Sequence, residues 1–181
     1  MEGARFKSFL TLAAAEEAFA AGPPAVQHAT KATAAAASRQ IPDAVRYSNA
    51  IAIDAACSGN PGPMEYRGVY IPTGQELFHF GPVHGTNNIG EFLAIVHGMA
   101  YVMQQGWQGF TLYSDSRNAI NWVTQGVCKT RLARTPATEQ LYALIARAET
   151  WLRNHPAATR PPLRKWDTDH WGEIPADFGR K

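Results

Sequence analysis

The spacing of apolar positions changes several times along this chain, and each change marks an element. Ile51 and Ile53 alternate with small residues across 48–56, the period of two expected of a strand. Residues 66–71 and 76–80 read as two further strands. They are joined by Pro72-Thr73-Gly74-Gln75, a hairpin connection with glycine in the turn. Beyond 87 the period lengthens to that of a helix. Phe92, Ile95, Val96, Met99 and Met103 share one side of a helix predicted over 87–105, with Gly106 as its stop. Residues 110–113 form a short strand, and 116–124 a helix with Ile120 and Val123 on one side. The clearest amphipathic stripe runs over 138–153 through Leu141, Leu144, Ile145, Ala148, Trp151 and Leu152. Asn154-His155-Pro156 ends it, and 163–167 is the last strand.

The order β-β-β-α-β-α-α-β places the chain in the α/β class. Three early strands make an antiparallel meander and two later ones are linked through helices. The expected product is a five-stranded mixed sheet flanked by helices. Ahead of it, Gly22-Pro23-Pro24 and an Ala/Thr/Ser/Gln tract make 22–46 a flexible linker. Residues 1–21 carry an aromatic and basic start and then an Ala/Glu helix pattern, too short to bury a core alone.

Composition narrows the classes. No apolar run approaches the ~20 residues of a membrane span. The start does not read as a signal peptide. Cys57 and Cys128 give no disulfide framework, and neither they nor His79 and His84 have zinc-ligand spacing. The expectation is a cytoplasmic protein with no membrane attachment, monomeric for want of a heptad or exposed apolar stripe. The net charge of +2 hides a division. Residues 49–124 carry two basic residues, Arg67 and Arg117, against five acids. Residues 125–181 carry ten basic and six acidic, a supply of cations for a phosphate backbone or an ordinary solvated surface.

Four acids stand in distinctive settings. Asp54 sits among apolar strand residues, where an unpaired charge is expensive. Glu91 lies in the first turn of the 87–105 helix. Asp115 follows a strand, and Asp177 closes Ile174-Pro175-Ala176-Asp177. Clustered carboxylates repel one another unless cations sit between them. Mg²⁺ suits carboxylate, water and phosphate oxygen best, with Mn²⁺ as a second candidate. Structural roles compete at some positions: Asp115, Asn87 and Asn88 all read as helix N-caps, and Asn60-Pro61-Gly62 as a turn.

Asp54 with the downstream Ser58-Gly59-Asn60-Pro61-Gly62, Thr86-Asn87-Asn88 ahead of Glu91, Ser114-Asp115-Ser116 and Ala176-Asp177 follow one another in order. Together they resemble the acid motifs of type 1 ribonucleases H, over roughly 47–181. The Trp171-Gly172-Glu173 ending is similar to that of a bacterial subset. The resemblance implies a ribonuclease H-like catalytic domain over 47–181 and an endonuclease that hydrolyses the RNA strand of RNA–DNA hybrids. It implies a two-metal-ion mechanism leaving 5′-phosphate and 3′-hydroxyl ends. By that resemblance Asp54 is shared between two Mg²⁺ ions, Glu91 and Asp115 serve the ion on the water side, and Asp177 serves the ion on the leaving-group side. Asn60, Thr86, Asn87 and Asn88 would meet the minor groove, some at the RNA 2′-hydroxyl. Residues 1–21 resemble the closing part of a viroplasmin-type hybrid-binding domain.

Three departures from the family pattern stand out. Ten residues before the fourth acid the family carries a histidine where this chain has Asp167, so His170 or Glu173 becomes an auxiliary candidate. The family's basic protrusion is not recognisable. The segment 126–135, with Lys129, Arg131 and Arg134, stands in its place, with Trp122 beneath it or in the core. Little chain follows Asp177, so a less rigid fourth ligand is expected.

Overall fold

The computed structural model describes residues 40–179. The segment read as a hybrid-binding remnant, 1–21, and most of the linker lie outside the described residues. In chain order the elements are α1 (Asp43–Arg46), β1 (Ala50–Cys57), β2 (Gly62–Tyr70), β3 (Gln75–Gly85), α2 (Asn87–Gln104), β4 (Thr111–Ser114), α3 (Arg117–Gln125), α4 (Glu139–Asn154), β5 (Leu163–Lys165) and α5 (Thr168–Trp171). The strands form the expected five-stranded mixed sheet, in the order β3-β2-β1-β4-β5. β1–β2 and β2–β3 pair antiparallel. β1–β4 and β4–β5 pair parallel.

Strand alternation divides the core into two. Ile51, Ile53 and Ala55 point to one face and pack with Phe92, Ile95 and Met99 of α2, Leu112 of β4 and Ile145 of α4. Ala50 and Ala52 point to the other face, with Val69, Tyr113, Trp166, Ile174 and Ala176. β1 is therefore covered on both sides, which is why it reads as a nearly continuous apolar run. Trp166 anchors the second face. It is fully buried, and its indole N–H donates to the Gly172 carbonyl at 2.8 Å.

α2 lies close against the sheet because two of its residues lack side chains. A Cβ on Gly90 would sit 2.7 Å from Met64 Sδ and 2.8 Å from Ala55 Cβ. One on Gly98 would sit 2.6 Å from Ile53 Cδ1. All three distances are below any relaxed contact, so the helix–sheet spacing depends on glycine there.

Several local expectations are corrected. β2 and β3 are longer than the alternation suggested. They carry register shifts between Met64 and Tyr66 and between Gly68 and Val69, and bulges of this kind disguise the period of two. β3 continues past residue 80 through Gly81 and Pro82 to Gly85. α2 is capped by Thr86, whose Oγ1 accepts the Ile89 N–H at 3.4 Å, rather than by Asn87 or Asn88. α3 is capped by Ser116, whose Oγ accepts the Ala119 N–H at 3.2 Å, so Asp115 is not a cap. β5 stops at Lys165, and Asp167 caps α5 instead of extending the strand. Packed structure also starts before residue 47: Val45 of α1 is buried in the second core, with Ile41 against it.

Candidate active site

Parallel pairing brings the first and third acids together. Ile53 is the register partner of Ser114, the last residue of β4. Asp54 and Asp115 therefore stand one step beyond that pair. Glu91 reaches them from just beyond the first turn of α2, held down at its neighbour Gly90. One oxygen from each of Asp54, Glu91 and Asp115 lies within 4.8 Å of the others, a spacing that could hold a metal ion. Asp177 and Glu173 line the same cleft of about 440 Å³, with Cys57, Ser58, Asn87, Thr168 and Phe178.

The electrostatics are those of a site built for cations. Burial, then Asp115, Glu91 and Asp177, push the Asp54 carboxyl up to about 8. Burial, and secondarily Asp115, push Glu91 up to about 7 against the opposing pull of Ser116. Burial raises Asp115 as well, while Lys165 works against it. None of the four acids is in a salt bridge among the described residues. Lys165 acts on Asp115 without pairing with it, and Asp54 and Glu91 have no cation acting on them among the causes of their shifts, so a divalent ion would relieve the burial cost and the repulsion together.

Glu91 is held by both oxygens. Asn87 Nδ2 donates to Oε1 at 3.0 Å, and Ser116 Oγ donates to Oε2 at 2.6 Å. Ser116 therefore caps α3 and orients a carboxylate with the same hydroxyl. Asn60 Oδ1 accepts the Asn87 backbone N–H at 3.3 Å, which ties the 58–62 loop to the start of α2.

The polar candidates divide around that helix start. Asn87 faces the acids. Asn60, Thr86 and Asn88 line a neighbouring cleft of about 560 Å³ with Trp122, Lys129 and Arg131. Trp122 packs edge-on against Phe92, centroids 6.4 Å apart, so it serves both the core and the floor of this cleft. Glu173 is exposed at the acidic cleft and contributes to the field on Asp115. His170 is not among the residues lining that cleft. Its side chain is 80 % exposed and its Nδ1 lies 2.8 Å from Asp167 Oδ2.

Arg67 escaped the sequence reading. It is the register partner of Asp54 on β2, and its guanidinium reaches the backbone of Ala176 and Asp177. The available signal was its isolation as one of two basic residues in the acidic half of the chain.

A family model for RNase H matches residues 47–159. The chain belongs to the ribonuclease H family. A ribonuclease H of Neorickettsia sennetsu (strain ATCC VR-367 / Miyayama) is 28% identical over 135 residues, covering 71% of this chain and 87% of that protein. RNase H1 of the halophilic archaeon Halobacterium salinarum NRC-1 is similar at 18% identity and a TM-score of 0.42, covering 66% of this chain and 86% of that one. LC11-RNase H1, solved in complex with an RNA/DNA hybrid, is 20% identical with a TM-score of 0.39, covering 66% and 86%. As a family member the chain is a ribonuclease H hydrolase, and its acidic triad has the chemistry of a metal site. No helix of the described residues is long and apolar enough to cross a membrane.

Proposed function

We propose that this chain is a type 1 ribonuclease H that cuts the RNA strand of RNA–DNA hybrids, with residues 47–181 as the catalytic region. The observation that carries the proposal is the Asp54–Glu91–Asp115 cluster, with Asp115 half-buried and no salt bridge to any of the three among the described residues, beside a cleft lined by Asn60, Thr86, Asn88, Lys129 and Arg131. Oxygen-only donors at this spacing fit Mg²⁺ or Mn²⁺ and suit softer metals poorly. Asp54, Glu91, Asp115 and Asp177 would hold two such ions. Bound there, divalent cations supply Lewis-acid stabilisation of a phosphodiester and a water of lowered pKa.

The chain's own residues do the rest. Asn87 and Ser116 fix the Glu91 carboxylate, so its two oxygens keep one orientation through turnover. Asn60, Thr86 and Asn88 offer amide and hydroxyl groups to a minor groove, where a 2′-hydroxyl distinguishes RNA from DNA. Lys129 and Arg131 supply charge for the opposite strand's phosphates. Hydrolysis with 5′-phosphate and 3′-hydroxyl products follows from in-line attack of water on the side away from the 3′ oxygen.

The test is cleavage of an end-labelled hybrid, with duplex DNA and duplex RNA as controls, in Mg²⁺, Mn²⁺ and EDTA. Wild type and Asp177→Asn are compared. Metal-dependent, hybrid-only cutting that collapses in the variant is the expected result. Cutting of all three duplexes alike, or cutting in EDTA, would overturn the proposal. Cutting that survives Asp177→Asn would keep the activity and shift the second ion toward Glu173.

A further inference from the structure

Asp177 belongs to no helix or strand; residues 172–179 are turn and irregular chain. Such a segment ordinarily holds a side chain loosely, yet a carboxylate that works with three others needs a fixed position. Two features hold this one. Ile174 and Ala176 are buried in the second core, which ties the segment down just ahead of the acid. Arg67 then fixes the acid's own backbone. Its Nε donates to the Ala176 carbonyl at 2.8 Å and its Nη2 to the Asp177 carbonyl at 2.6 Å. The guanidinium carbon lies 4.6 Å from the centroid of the Phe178 ring. Three consecutive residues are thus gripped by one planar group. Its remaining arm is steadied by Glu76 Oε2, 3.4 Å from Nη1.

The choice of atoms matters. Arg67 bonds main-chain carbonyls, and the Asp177 carboxylate is not its partner in any salt bridge among the described residues. An arginine on the carboxylate itself would compete with a cation for it. An arginine on the carbonyls orders the segment and leaves the carboxylate for the cleft. One oxygen, Oδ2, accepts the Gly179 N–H at 2.8 Å, which sets the side-chain rotation. Because Arg67 is the register partner of Asp54, both side chains rise from the same sheet face. The strand carrying the clamp is therefore hydrogen-bonded to the strand carrying the central acid.

We propose that Arg67 is a positioning residue for the fourth carboxylate, a guanidinium fork that sets Asp177 relative to Asp54. This rests on the reading of Asp177 as a metal ligand. Lysine could keep the charge but not the two-carbonyl fork or the ring stacking.

The experiment is a double-mutant cycle of Arg67→Gln and Arg67→Lys, each with and without Asp177→Asn. Mg²⁺ binding is followed by calorimetry and the Mg²⁺ dependence of hybrid cleavage in parallel, with melting in EDTA to confirm the fold. Both Arg67 variants should weaken one Mg²⁺ site about ten-fold and raise the Mg²⁺ needed for half-maximal cleavage by the same factor, as loss of a ligand's supporting partner does. In the Asp177→Asn background they should add less than about two-fold, because the interaction they support is already gone. Arg67→Lys decides if Arg67→Gln does not fold. Equal losses in both backgrounds, unchanged Mg²⁺ binding, or an Asp177→Asn protein that binds Mg²⁺ like wild type would each overturn the proposal. A wild type that binds Mg²⁺ but cuts no hybrid would sink the functional reading instead, and the binding cycle would still decide the role of Arg67.

Discussion

Asp54→Asn should make the metal-free protein more stable at pH 8 while abolishing its activity. The Asp54 carboxyl is raised from 3.8 to about 8, so the folded chain holds that proton far more tightly than the unfolded one. The sign follows directly: the stability is fully present below about pH 4 and is lost as pH rises from about 4 to about 8. At 1.36 kcal/mol per pKa unit, the ceiling on the loss at pH 8 is about 5 kcal/mol. Side-chain relaxation and water entry reduce it to about half, so the neutral asparagine should gain about 2–3 kcal/mol there. For a folded region of this size that is roughly 6–10 °C in Tm. At pH 5 most of the wild-type carboxyl is already protonated, and the gap should shrink below about 1 kcal/mol. Melting curves in EDTA from pH 5 to pH 9 measure it. Added Mg²⁺ should raise the wild-type Tm and leave the variant nearly unmoved, reversing their order. An asparagine variant that melts at or below wild type at pH 8, or a gap equal at both pH values, would refute the claim that the site is an unneutralised cluster awaiting cations.

Two further substitutions probe how Glu91 is held. Gly90→Ala must push α2 off Met64 and Ala55; it should cost about 1–3 kcal/mol in denaturant unfolding and reduce hybrid cleavage more than substrate affinity. An alanine tolerated with wild-type stability and rate would mean that the helix–sheet spacing does not set the acid's position. Ser116→Ala removes the α3 cap and a donor to Glu91 together, at about 2 kcal/mol. Because that donor favours the charged carboxylate, its loss raises Glu91 further, and the acid limb of the cleavage–pH profile should move to higher pH. A profile that moves down, or not at all, would contradict this.

The sequence was most readable where the physics is local. The 3.6 period marked α2 within one residue of its observed end, and the alternation of Ile51 and Ile53 marked β1. The order of elements then implied a mixed sheet, and the parallel β1–β4 pairing within it is what sets Asp54 beside Asp115. Caps were less readable. Thr86 and Ser116 each stand beside a residue with equal or better capping chemistry, and the choice depends on backbone angles that no spacing encodes. Bulges hid the true length of β2 and β3 because a single shift reverses the alternation. His170 was a candidate in place of the family's loop histidine, and its pairing with Asp167 across one turn of α5 is a contact that no spacing announced. The Arg67 clamp joins residues more than a hundred positions apart, and a contact of that span leaves no periodic trace.

Among the described residues the sheet order leaves β3, eleven residues long, as an open edge. An edge of that length is a template on which another chain's strand could grow. Pro82 has no N–H to offer such a strand, and Gly81, at φ +106°, bends the backbone just before it. The two register shifts twist the remaining ladder out of plane. What a newcomer would find is a short, kinked stretch over 75–80 in place of a flat eleven-residue rail. Protection against fibrillar stacking is thus written into β3 by backbone geometry, in a strand without a single lysine, and replacing Pro82 by a β-branched residue would remove part of it.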